Sequence, residues 1–312
     1  MTAQQWQASS SGLDGFVLVE HQPSAPGPGQ VRVDVHAAGV NPADLKHVRR
    51  TDPADFPVPV GYEIAGVVTA VGPGAVGGSG ELSVGDRVAA FRVHGGYASE
   101  LTLPAEKAFV LPDTVDDITA AGLLLAGTTA ADMLHRSGAT SGDTIVVHGA
   151  SGAVGATLLQ LAAHAGVRVI GTANPRRLDA VRRLDADAVP YGSGLLDRLR
   201  TAAHGEITAA LDLTGTDEAI HASLQLVADR SRIITAAAKA AADEHGIVAV
   251  AGLDPRSTAY RDAMRPILID LVATGELEVP IARTFPLADA VDALRLVASG
   301  RAGGKVVLTV PR

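Results

Sequence analysis

Thr144-Ile-Val-Val-His-Gly-Ala-Ser-Gly-Ala-Val-Gly155 joins a short β-branched run directly to closely spaced glycines. An apolar, helix-like segment follows from Thr157 to Ala165 and ends at Gly166. A second β-branched run, Val167 to Ile170, comes next. The order is strand, tight glycine turn, helix, strand, the setting in which a glycine pattern marks a dinucleotide site. A pyrophosphate would sit on backbone N–H groups at the helix N-terminus, which lack intrahelical partners.

The spacing departs from the usual fingerprint. Ala150-x-Gly152-x-x-Gly155 carries alanine where the first glycine is expected, with Gly149 one residue earlier. Gly152 would let the backbone approach the phosphates, and Gly155 would let the helix pack close to the strand. In that fingerprint an acidic residue about 20 positions on binds the ribose 2′-hydroxyl. Here the second strand ends Gly171-Thr172-Ala173-Asn174-Pro175-Arg176-Arg177, and no carboxylate precedes Asp179. Small polar residues followed by two arginines suit a 2′-phosphate, which pairs well with guanidinium. The pattern therefore favours NADP(H) over NAD(H). The plainer reading makes Arg176 and Arg177 surface charges, although a helix N-terminus is the wrong end for cations.

With 312 residues the chain is long enough for two domains. Its net charge is −8, and the basic residues are dispersed, so nothing points to nucleic acid. The opening MTAQQWQASSSG lacks the layout of a signal peptide. No apolar run approaches the ~20 residues that span a bilayer. The longest candidate, Ala120 to Ala131, contains Gly127 and two threonines and reads as a buried helix. There are no cysteines, which excludes disulfides, thiolate catalysis and cysteine-ligated metal, and fits a cytoplasmic protein.

The first third is β-rich. Val31, Val33 and Val35 alternate with Arg32, Asp34 and His36 over a half-buried strand from Gln30 to His36. Gly61 to Val71 and Gly85 to Phe91 are further β-type runs between Gly/Pro turns, and together they predict a barrel-like domain. From about Ile118 helical and strand segments alternate, as in βαβ units around a parallel sheet. Asn174 and Pro175 look like an N-cap and first-turn proline opening a helix over Arg176 to Leu184. Further strands are expected at Ala209–Leu213, Arg232–Ala236 and Ile247–Ala251. A helix near Ala259–Ala273 contains Pro266, which is expected to kink it. The tail predicts strand Val279–Thr284, helix Ala288–Ala298 and strand Lys305–Val310.

Several short segments, in order, resemble the zinc-free quinone oxidoreductase (zeta-crystallin-like) branch of the medium-chain dehydrogenase/reductase superfamily. They are Gly39-Val-Asn-Pro-Ala-Asp44, Gly61-Tyr-Glu-Ile-Ala-Gly66, Gly85-Asp-Arg-Val88, Gly95-Gly-Tyr-Ala98, Ala126-Gly-Thr-Thr-Ala130, Asp212-Leu-Thr-Gly215 and Gly303-Gly-Lys-Val-Val-Leu308. The resemblance implies an α/β protein in two domains: a GroES-like β-barrel catalytic domain over residues 1–112 and 277–312, and a Rossmann doubly wound parallel-sheet domain over 113–276. It implies a homodimer and hydride transfer in a cleft between the domains. It also places Gly152, Ala153, Val154 and Gly155 on the pyrophosphate, and Thr172, Asn174, Arg176, Arg177 and Tyr191 near the adenosine and its phosphate. Leu213, Thr214, Gly215 and Thr128 fall on the nicotinamide side, and Lys305 close to the cofactor.

Where zinc-dependent relatives have a catalytic cysteine this chain has Asn41, and their Gly-His-Glu motif reads Gly61-Tyr62-Glu63. No two of the ten histidines show a recognised ligand spacing, so no metal site is expected. Without a Lewis acid, acceptors that already take hydride well, quinones and α,β-unsaturated ketones, are favoured over simple ketones. The Asn41 amide or Tyr62 hydroxyl would meet the developing oxyanion, with protonation by Tyr62, Lys46 or water. Each has a plainer role: Tyr62 as a packed ring, Asn41 as a turn former, and Asp44 as a tie for its loop. His36 and His148 read as structural, and His94 as an exposed loop residue. Tyr62, Tyr97, Phe56 and Tyr260 are the aromatics that loops would need to gather into a stacking pocket. The alternatives are an enoyl thioester or ketone reductase of the same superfamily, and a non-catalytic NADPH-binding sensor.

Overall fold

The computed structural model describes residues 2–252 and 254–311. The chain folds as two compact units, Met1–Leu125 with Ile269–Arg312, and Ala126–Leu268. The β-rich and parallel-sheet units expected from the sequence are both present.

The first unit is organised by one long strand, Gln30–Val40. Val31, Val33 and Val35 alternate into the core as the period of two requires, and Ala37 to Val40 are then buried without alternation. This strand pairs antiparallel with Glu63–Val71 along one edge. Its other edge meets Glu100–Pro104 at its start and Lys305–Thr309 at its end. Arg87–Phe91, Ala108–Val110 and Ile281–Pro286 complete a seven-stranded sheet. The C-terminal segment therefore supplies two strands to a sheet begun near residue 30. A three-stranded sheet of Phe16–His21, Ala3–Ala8 and Val58–Pro59 lies outside that path. Trp6 anchors it in the core, donating from Nε1 to the Leu287 carbonyl at 2.7 Å.

Helix α1, Pro42–Arg50, is an addition to the elements expected from the sequence. Its signal is present in Asn41-Pro42-Ala43-Asp44: a cap residue, proline at the first position and an acid at the third. Asp44 Oδ2 accepts from the Asn41 N–H at 2.7 Å, which is the acidic half of a capping box. Helix α2, Asp117–Arg136, is the buried helix expected around Ala120 to Ala131.

The second unit holds a six-stranded sheet, all parallel. Across it the strands run Asp187–Pro190, Arg168–Ala173, Thr144–His148, Ala209–Asp212, Ile233–Thr235, Val248–Ala249. Chain order reverses at Thr144–His148, the switch point of a doubly wound sheet. Ile145 and Val147 join one apolar cluster with Leu158 and Leu159, while Val146 joins the other with Leu195 and Leu199. A strand covered on both faces needs a continuous apolar run, which is why Ile145-Val-Val147 does not alternate.

Several boundaries differ from expectation. The helix after the glycine turn, α3, spans Ala153–His164 and so begins one turn before Thr157. Asn174 does cap, accepting from the Arg176 N–H at 3.0 Å, but the helix behind it divides into a 3₁₀ turn, Pro175–Arg177, and Leu178–Arg182. The strand expected over Ile247–Ala251 is only Val248–Ala249. The helix Pro255–Ala273 runs through Pro266 and starts before Ala259.

Candidate active site and cofactor cradle

In the second unit the glycine turn is built by close backbone approach. Gly149 has φ +83°, where a side chain is strained, and its N–H and that of Ala150 both donate to the Thr172 carbonyl. A Cβ on Gly155 would lie 2.5 Å from the Gly149 carbonyl oxygen and 2.6 Å from that of Ala150. Only glycine fits there. Gly152 is different: the nearest atom to an added Cβ is the Gly149 carbonyl oxygen at 3.4 Å, an ordinary contact, so a side chain there meets no clash. Gly152 caps α3 with no side chain, leaving the first-turn N–H groups of Ala153, Val154 and Gly155 without intrahelical acceptors. The irregular Ala150 is accommodated by a glycine elsewhere, since a Cβ on Gly171 would come within 2.6 Å of the Ala150 methyl.

Around this turn the structure gathers residues that are distant in sequence. Asn174 Nδ2 donates to the Tyr191 hydroxyl at 3.0 Å, and the Tyr191 N–H reaches the Ala173 carbonyl at 3.3 Å. Asn174, Arg176 and Tyr191 thus meet at the carboxyl end of strand Arg168–Ala173, with Arg176 exposed and Arg177 partly so. Thr172 is buried, its hydroxyl 3.3 Å from His148 Nδ1. Asp212, to which the sequence assigned no role, organises the loop Asp212-Leu-Thr-Gly215. Its Oδ1 accepts from Thr214 N–H, the Thr214 hydroxyl and Gly215 N–H at 2.8–3.0 Å, and its Oδ2 accepts from Thr235 at 2.7 Å. This holds Gly215 at φ +68° and leaves Leu213 partly exposed. Thr128 is buried within α2. His148 is buried too, and desolvation outweighs the nearby Asp212 and Glu218 carboxylates, pushing its pKa down to about 4. It stays neutral and packs.

In the first unit a polar cluster is closed on itself. Lys305 Nζ donates to Asn41 Oδ1 and to Glu63 Oε2, each at 2.8 Å. Asn41 Nδ2 lies 3.2 Å from both the Gly39 carbonyl and Glu63 Oε2, and Glu63 Oε1 accepts from Leu125 N–H at 2.8 Å. A Cβ on Gly39 would sit 2.6 Å from Glu63 Oε2, so glycine is what lets the carboxylate in. Asn41, Glu63 and Lys305 are all buried. Two sequence expectations change here. Asn41 has both amide protons committed, leaving neither for a substrate oxyanion. The Lys305 ammonium is 1% exposed and held by a carboxylate, so it is a structural cation rather than a cofactor contact.

Beside this cluster, Asp44 Oδ2 accepts from the Tyr97 hydroxyl at 2.7 Å. Asp44 is fully buried, and desolvation raises its pKa to about 7 against its hydrogen bonds and the Lys305 charge. Tyr97 is therefore a core residue, not a ring available to a ligand. Tyr260 stacks on His135 at 4.1 Å in the second unit. His36 proves structural, its Nδ1 2.7 Å from Asp117, which also pairs with Arg87. Lys46 is exposed on α1.

Tyr62 follows a turn at Gly61, whose φ of +105° and contact with Tyr97 exclude a side chain. Its ring is half-buried and meets His47 edge-on at 5.4 Å and His94 at 5.6 Å. Desolvation, with the Asp44 charge, pushes its pKa up to about 12. Tyr62 is thus a hydrogen-bond donor at any neutral pH. A zinc ion does not suit these residues. The carboxylate is taken by an ammonium, Asn41 is a weak amide donor already bonded, and no thiolate exists. Among the described residues no group of three His, Asp or Glu is placed to hold a metal. Nor is any helix among them long and apolar enough to cross a membrane.

The chain matches the alcohol dehydrogenase GroES-like domain over residues 27–113 and the zinc-binding dehydrogenase family over 184–308. A 2-haloacrylate reductase from a Burkholderia species is 32% identical over 95% of this chain and 96% of its own. A phthioceranic/hydroxyphthioceranic acid synthase of Mycobacterium tuberculosis is 30% identical over 92% of this chain, which spans only 14% of that much longer protein. Two mycobacterial structures are each 28% identical and align over 99% of this chain and all of theirs. One is a quinone oxidoreductase at a TM-score of 0.80, and the other is a complex with NADPH at 0.84.

Proposed function

The chain belongs to the medium-chain dehydrogenase/reductase superfamily, on its quinone-oxidoreductase-like side, and from that premise we propose that it reduces a quinone or an α,β-unsaturated carbonyl with NADPH and without zinc. The observation that carries this reading is the closed Asn41–Glu63–Lys305 cluster, in which the carboxylate is taken by an ammonium and the amide is already bonded, a set that does not suit a metal cation. Without a Lewis acid, an acceptor that already takes hydride well is favoured over an unactivated ketone.

NADPH, when bound, supplies the hydride. The first turn of α3, capped by Gly152 with no side chain, would receive its pyrophosphate. Asn174, Arg176, Arg177 and Tyr191 hold the adenosine end, with the guanidinium groups on the 2′-phosphate. Thr172 supports that end of the strand, and the loop Leu213-Thr214-Gly215, pinned by Asp212, faces the nicotinamide ribose alongside Thr128. Asn41, through Lys305 and Glu63, fixes the backbone that leads from Gly39 into α1. The Tyr62 hydroxyl, kept protonated, donates to the oxygen that gains charge as the acceptor is reduced. Water or the exposed Lys46 completes the protonation. The likeness to a 2-haloacrylate reductase favours an activated carbon–carbon double bond within this acceptor class.

The test is NADPH oxidation, followed by absorbance, against quinones, enones and simple ketones, with NADH alongside and with chelator-treated enzyme. Turnover of quinones or enones with NADPH, unchanged by chelation, is the expected result. Loss on chelation that zinc restores would overturn the metal-free reading. NADPH binding with no turnover of any acceptor would favour the sensor alternative.

A further inference from the structure

Tyr62 does not stand alone. His47, from α1, and His94, from the segment after strand Arg87–Phe91, complete a triangle of rings with it, the two imidazoles 5.9 Å apart. The Val93 N–H bonds the Tyr62 carbonyl at 3.1 Å, which fixes His94 beside the tyrosine. Lys107 joins the same face, its Nζ 2.7 Å from the Arg92 carbonyl. Burial holds the His94 pKa below its ordinary value, and the charges that add to this are Lys107 and His47, both basic. The neighbouring carboxylates turn the other way. Glu63 is buried against Lys305, and Asp44 is buried against Tyr97. Two imidazoles thus flank the Tyr62 ring, with Lys107 and His47 acting on His94, while Asp44 and Glu63 are buried in the core.

We propose that the acceptor carries a carboxylate, held by His47 and His94 beside Tyr62. This rests on the reading of Tyr62 as the residue that meets the acceptor. An anion here gains two N–H donors and the field of Lys107, and the partly exposed position makes the attraction sensitive to salt.

The test compares trans-4-oxopent-2-enoate, an enone bearing a carboxylate, with its methyl ester. The ester has the more electron-poor double bond, so intrinsic reactivity favours it, and a preference for the acid reports binding. With NADPH at low salt, kcat/KM for the acid should exceed that for the ester by about tenfold, and the ratio should fall as sodium chloride is added. The double variant His47→Gln, His94→Gln should lower that ratio by about tenfold. An independent readout on the NADP⁺-bound wild-type enzyme is the His94 C2–H titration by NMR. Its midpoint should rise on adding the acid and not on adding the ester. A ratio at or below one, with the midpoint unmoved, overturns the proposal. A ratio that the double variant leaves unchanged does the same. A moved midpoint without reduction of either compound supports the carboxylate site, and if quinones too are not reduced it overturns the reductase reading instead.

Discussion

Lys305→Met keeps the aliphatic stem and removes the ammonium from the buried cluster. Glu63 then remains fully buried with Leu125 N–H at 2.8 Å and the Asn41 amide at 3.2 Å, but without a counter-charge. Asn41 Oδ1 loses its donor as well. Breaking a buried pair from one side costs about 3–5 kcal/mol, because an uncompensated charge is left behind. Adding Glu63→Gln removes that charge. The oxygen of the introduced carboxamide still accepts from Leu125, and its nitrogen, at the Oε2 position, pairs with Asn41 once the Asn41 amide turns to present Oδ1 in place of its donation to Gly39. The double variant should therefore recover most of the loss, to within about 1 kcal/mol of the parent. The chain has a single tryptophan, Trp6, and it lies in the core of the same unit, so its fluorescence reports this unit. In urea the Lys305→Met midpoint should fall by about 1–2 M for a slope of ~3 kcal/mol/M, and the double variant should return close to the parent. If both variants fall equally, the cost is lost packing and not the orphaned charge, and the account of the cluster fails.

The two glycines of the turn should separate sterics from cofactor approach. Gly155→Ala forces a Cβ to 2.5 Å from a carbonyl oxygen and should destabilise by about 1–3 kcal/mol, whereas Gly152→Ala has room and should weaken NADPH binding with little loss of melting temperature. Equal stability losses would show that Gly152 is structural. Replacing Arg176 and Arg177 by alanine should weaken NADPH at least about tenfold more than NADH in direct binding titrations; equal losses would remove them from the 2′-phosphate. Asp44, raised to about 7, makes a contribution to the first unit that is full below about pH 4, and about 4 kcal/mol of it is lost as pH rises through 7. Asp44→Asn should flatten that slope in the Trp6-detected transition. His148, lowered to about 4, works in the opposite sense in the second unit: its contribution is full above about pH 6.5 and is lost as pH falls through 4. Amide exchange in strand Thr144–His148 should accelerate in acid, and less so in His148→Gln.

The cofactor cradle was largely legible because its signals are local. Strand, glycine turn and helix between Thr144 and His164 are consecutive, and the Asn174 cap lies two residues from the N–H it serves. Even the exception had a sequence-visible partner, since Ala150 packs against a glycine, Gly171, in the adjoining strand. Helix α1 was equally readable from the cap, proline and acid of Asn41-Pro-Ala-Asp44, a signature masked by the chemical interest of its asparagine.

Sequence alone determined that strand, glycine turn and helix follow one another from Thr144, that no cysteine-based metal site is possible, and that the second strand ends in Asn-Pro-Arg-Arg. Each of these is a property of residue type at short range. Tertiary structure decided the roles of the polar side chains. Asn41 and Lys305 are 264 residues apart and meet only because the C-terminal strand pairs with Ala37 to Val40. That pairing gives Asn41 Oδ1 its donor and makes an internal cation of Lys305. Burial then set the protonation of Asp44 and Tyr62, since desolvation depends on what surrounds a group in space and not on its neighbours in the chain.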